Sequence, residues 1–94
     1  MNIELDRIDN FFNLIIKELK GNGIHNIPLD YDFYWNIPSD LLYDLYNEPK
    51  ELDMGQLSED YQFLSYAINQ DILTSGNLRK LSSLLRYIAD KLDM

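Results

Sequence analysis

Ile8, Phe11, Phe12, Ile15 and Leu19 recur at i, i+3, i+4, i+7 and i+11, an apolar stripe that predicts a helix from about Ile3 to Lys20. Glu4 and Asp6 stand near the positive pole of its dipole, Lys17 and Lys20 near the negative pole, and Gly21 supplies a stop. Gly21, Asn22 and Gly23 then make a turn, and Pro28 and Pro38 argue against a long helix in the next segment. From Tyr31 the period changes to two. Tyr31, Phe33, Trp35 and Ile37 point one way and Asp32, Tyr34 and Asn36 the other. No later stretch reads as an obvious partner strand, and a lone strand cannot satisfy its backbone groups. The expectation is an extended loop laid over helices, with a short ribbon as the alternative.

Ser39 can cap a brief helix over Asp40 to Tyr46, which Pro49 ends. Asp53 and Gln56 have the spacing of a capping box, and Met54, Leu57, Tyr61, Leu64 and Ile68 continue at helical spacing, predicting a helix from Met54 to Asn69. Thr74 or Ser75 opens the last helix, with its stripe of Leu78, Leu81, Leu85, Ile88 and Leu92 widened by Leu84. The expected fold class is mainly α: a small three- to four-helix bundle with an irregular, aromatic-rich insert after the first helix, forming a single helical domain over residues 1–94.

Length and composition change this picture little. A chain of 94 residues with 46% hydrophobic and 26% charged positions has room for one core, and the absence of cysteine excludes disulfides and thiolate metal sites. The first residues lack the basic start and apolar run of a secretory signal, and no apolar run could span a bilayer, so a soluble, cytoplasmic protein is expected.

Charge changes the picture more. Residues 30–71 hold ten of the sixteen carboxylates and nine of the twelve aromatic rings, with Lys50 the one Lys or Arg among them, so a segment charge of −9 exceeds the −8 of the whole chain. Such a surface repels phosphate and anionic lipid, so neither direct nucleic-acid binding nor membrane binding is expected.

The residue types of the common chemistries are missing. His25 is the only histidine and reads as a solvated loop residue. Asp30 and Asp32 begin like a calcium loop, yet its sixth position is Trp35 and its twelfth Leu41, which rules out an EF-hand. Asp40 and Asp44 would share one face of a short helix and read as a solvated acidic face. No phosphate loop, nucleophile elbow or zinc-protease helix is present, so neither enzyme activity nor a cofactor is expected. Arg79, Lys80, Arg86 and Lys91 read as a solvated face or as internal salt-bridge partners.

Phe33, Trp35 and Ile37 read as core, and Tyr31 can join them. Tyr34, Tyr43 and Tyr46 lie beside carboxylates and amides, which suits a contact surface and equally suits a buried hydroxyl with an acceptor. The candidate partner-binding set is Asp32, Tyr34, Asp40, Tyr43, Asp44, Tyr46 and Glu48: the acids steer a basic protein and the rings anchor it.

The strings Tyr34-Trp35-Asn36-Ile37-Pro38, Tyr43 to Pro49 and Leu52 to Asp60, followed by Leu84-Leu85-Arg86-Tyr87-Ile88, resemble a family of small uncharacterised bacterial proteins associated with toxin-immunity settings. The resemblance covers residues 31–88 and carries over no catalytic residue. It implies a bacterial, cytoplasmic source and an immunity role. The leading expectation is thus a non-enzymatic immunity or inhibitor protein that occludes a basic toxin such as a nuclease. The alternatives are a nucleic-acid mimic that inhibits a DNA-binding protein, and a self-associating helical domain; the oligomeric state stays open.

Overall fold

A computed structural model describes residues 1–36 and 53–93. In chain order these form α1 (Leu5–Gly21), β1 (Phe33–Asn36), β2 (Asp53–Gln56), α2 (Leu57–Asn69), a 3-10 turn (Ser75–Asn77) and α3 (Leu78–Leu92).

The two strands pair antiparallel, with Phe33 opposite Gln56, Tyr34 opposite Gly55, Trp35 opposite Met54 and Asn36 opposite Asp53. This corrects the expected fold. The described residues form three helices and a two-stranded antiparallel sheet, not a three- to four-helix bundle with an irregular aromatic-rich insert. The reason lies in Asp53–Gln56, whose cap-like spacing suggested a helix start. Their backbone groups instead satisfy β1, and the helix begins at Leu57. The brief helix expected over residues 40–46 lies outside the described residues.

The C-terminal ends of α1 and α2 use the same closure. After α1, Ile24 N–H donates to Leu19 O (3.0 Å) and Gly23 N–H to Lys20 O (3.0 Å), so the stop is made by Gly23 at φ 84° and not by Gly21. After α2, Ile72 N–H donates to Ala67 O (3.0 Å) and Asp71 N–H to Ile68 O (3.4 Å), with Asp71 at φ 56° in the place of glycine. The last helix is entered as expected through Thr74, whose N–H donates to Asn77 Oδ1 (3.0 Å).

Helices α2 and α3 pack against each other as a hairpin. Leu57, Ala67 and Tyr87 are the buried hydrophobic residues of the described chain, and Asp60 is buried among them. The buried face of α2 is therefore Leu57, Asp60 and Ala67, while Tyr61 and Ile68 of the expected stripe are exposed. Tyr87 ties the 28–31 segment to α3. Its hydroxyl donates to Pro28 O (2.8 Å) and accepts from Asp30 N–H (2.9 Å), and its ring meets Tyr31 edge-on at 5.2 Å. Lys91 pairs with Asp30 on the same side. Among the described residues no helix is long and apolar enough to cross a membrane.

Candidate interaction surface

The β-ribbon has two unlike faces because side chains alternate along a strand. Tyr34 and Gly55, opposite one another, lie on the side turned toward α2. The Tyr34 ring crosses directly over Gly55: a Cβ there would fall 2.5 Å from Tyr34 Oη and 2.6 Å from its Cε2. The ring needs the missing side chain to reach inward. Its hydroxyl then donates to Asp60 Oδ2 at 2.6 Å.

Asp60, only 6% exposed, is held from two further directions. Ser83 Oγ lies 2.7 Å from Asp60 Oδ2 and also 2.7 Å from Lys80 O, while Lys80 Nζ stands 3.8 Å from Asp60 Oδ1 and 5.3 Å over the Phe63 ring. One carboxylate thus joins the ribbon, α2 and α3. With its acceptors engaged by donors from the same chain, it is a structural tie. Tyr34 is held above the usual tyrosine range, first by burial and then by its bond to Asp60, so it remains the donor.

The second tie is Asp32. Its carboxylate accepts from Ser58 N–H (2.6 Å), Ser58 Oγ (2.6 Å) and Gln56 Nε2 (2.8 Å), and its carbonyl accepts from Leu57 N–H (2.7 Å). It caps α2 from another part of the chain. The Ser58 hydroxyl, then the Gln56 amide and the Ser58 N–H, hold its carboxyl below the usual range.

These ties fix the inner side of the ribbon and leave the outer side open. Phe33 (58% exposed) and Trp35 (61%) stand outward with Met54 (58%), the cross-strand partner of Trp35. Phe33 and Trp35 are consequently not core, contrary to the expectation; the alternation was right and its direction was opposite. Asp53 and Glu59 are exposed nearby in sequence, and a cleft of about 480 Å³ between the ribbon and the start of α3 is bordered by both sides of the ribbon, Phe33 and Met54 as well as Tyr34 and Gly55, together with Asp60 and Lys80.

Of the expected partner-binding residues, Asp32 and Tyr34 direct their polar groups into the chain. Asp40, Tyr43, Asp44, Tyr46 and Glu48, like Ile37, lie outside the described residues. Sequence reasoning missed Asp60, Ser83 and Tyr87. The usable signal was weak: Asp60 falls three residues after Leu57 and seven before Ala67, in line with the buried face. Lys80 and Lys91 do serve as internal salt-bridge partners, one of the two readings offered for the basic residues of the last helix. Among the described residues no group of three or more His, Cys, Asp or Glu could hold a metal ion.

Comparison with family models, with curated proteins and with solved structures returned no match.

Proposed function

We propose that this chain is a non-enzymatic protein-binding module that uses the outer face of its ribbon as an anchor for a basic protein. The observation that supports this most is the exposure of Phe33, Trp35 and Met54 together on a ribbon whose opposite side is tied by Tyr34 to Asp60 and by Asp32 to Ser58. Large rings held in advance lose little conformational freedom on binding, and tryptophan is enriched among residues that dominate interface energy. The net charge of −8 favours a cationic partner by raising encounter rate and selectivity. In its narrowest form the module is an immunity protein that occludes a basic toxin such as a nuclease. An apolar ring face suits protein contact better than imitation of phosphates, which sets this reading above nucleic-acid mimicry.

The test compares capture from lysate of the source cells on the native chain and on Trp35→Ala and Phe33→Ala baits, with fluorescence of Trp35 as the direct readout. A basic protein retained by the native chain at moderate salt and lost from both variants supports the proposal. Equal retention on all three baits, or a Trp35 emission that binding leaves unchanged, rejects it.

A further inference from the structure

Asn22 and Gly23 are the one place in the chain where glycine follows asparagine, and both are exposed. Such a pair has its own covalent chemistry, one reason asparagine is a thermolabile residue. The glycine nitrogen loses its proton and attacks the asparagine Cγ, ammonia leaves, and a five-membered succinimide forms. Water then opens the ring at either carbonyl, giving aspartate or isoaspartate. Glycine favours the attack because no Cβ crowds its nitrogen.

The folded backbone opposes this ring. Closure needs Cβ and the next nitrogen eclipsed about the asparagine Cα–C bond, which for an L residue means ψ near about −120°. Asn22 has φ −90° and ψ 10°, which turns the Gly23 nitrogen about 130° away from Cβ. Hydrogen bonds hold it there. Asn22 N–H donates to Glu18 O, Gly23 N–H to Lys20 O and Ile24 N–H to Leu19 O, each at 3.0 Å. The bond from Gly23 also engages the proton that its nitrogen must lose. Turning ψ of Asn22 to the reactive angle swings Gly23 and Ile24 off the helix end, so the closure of α1 must open first. We infer that Asn22 is a deamidation site gated by the C-terminal closure of α1. The product sets a carboxylate one turn from Glu18 at the negative pole of the helix, and isoaspartate adds a methylene to the backbone inside the turn. Either change weakens the closure that had blocked the reaction.

The experiment incubates the full chain at mildly alkaline pH, in buffer and in concentrated urea, and follows the mass gain of an amide becoming an acid. Peptide mapping locates isoaspartate. Position 22 is expected to react in urea and to react at least about tenfold more slowly in buffer. Gly21→Ala, whose Cβ meets nothing within 4 Å, strengthens the last turn of α1. It should slow the reaction about two- to fivefold further in buffer and leave the urea rate unchanged. Ile24→Pro, which lacks the N–H donated to Leu19 O, should raise the buffer rate at least about threefold. Circular dichroism checks that this variant keeps its helices; where it does not, Gly21→Ala alone decides. No product at position 22 in urea overturns the inference. So do equal rates in buffer and urea, or a Gly21→Ala rate in buffer that matches the native one.

Discussion

The carboxylate of Asp32 accepts the backbone N–H of Ser58, 26 residues further along the chain, at 2.6 Å. A helix start leaves several N–H groups without partners, and the residue at the cap position of α2, Gln56, makes no side-chain cap bond itself. The ribbon therefore delivers the missing acceptor, and strand pairing and helix capping stabilise each other.

One consequence is a pH dependence. The folded-state carboxyl of Asp32 is depressed, so its stabilising effect is fully present above the ordinary carboxylate range and is lost as pH falls through that range toward the folded value. Asp32→Asn should lower the urea midpoint at neutral pH and flatten its decline on acidification. Parallel pH profiles for the two proteins would refute the assignment.

Gly55 and Tyr34 form a second coupled pair. Gly55→Ala places a methyl group on the Tyr34 ring and should cost about 1–3 kcal/mol by overpacking. The same substitution in a Tyr34→Ala background should cost much less, because the clash is gone. A double-mutant cycle by chemical denaturation measures the difference, and additivity would count against the contact.

The Tyr34 hydroxyl supplies a spectroscopic prediction. Its folded-state value is raised, so its contribution to stability is present below the ordinary tyrosine range and is lost as pH rises through the raised value. Alkaline difference absorbance should show a late-titrating component that disappears in Tyr34→Phe. Removing the acceptor by Asp60→Ala, which leaves the hydroxyls of Tyr34 and Ser83 without it, should destabilise the fold by about 1–3 kcal/mol.

Asp71 occupies a left-handed conformation that glycine fills at the end of α1. Asp71→Gly should leave stability unchanged or raise it by up to about 1 kcal/mol. Asp71→Val should lower it by about 1–2 kcal/mol, since a β-branched side chain meets the following carbonyl in this region. Thermal melts of the two variants decide the matter: equal effects would mean that this backbone geometry does not govern the α2 terminus.

By itself the sequence determined the elements whose causes are local. The periodic stripe and end charges of α1, the Thr74 entry toward α3 and the long apolar face of α3 are written in residues a few positions apart; α1 forms within two residues of where those signals put it, and Thr74 caps the 3-10 turn that leads into α3 at Leu78. It also determined the acidity and ring content of the middle segment, because these are counts. Only the tertiary structure decided that Phe33–Asn36 pairs with Asp53–Gln56, since the partner strand carries a cap-like spacing and no β-branched residue to mark it. Period-two alternation shows that two faces exist but not which one turns inward. The ordinary preference would bury Phe33 and Trp35; here Asp32 and Tyr34 turn inward because Ser58, Gln56 and Asp60 satisfy their polar groups. Those partners lie more than twenty positions away, so the choice of face belongs to the assembled fold.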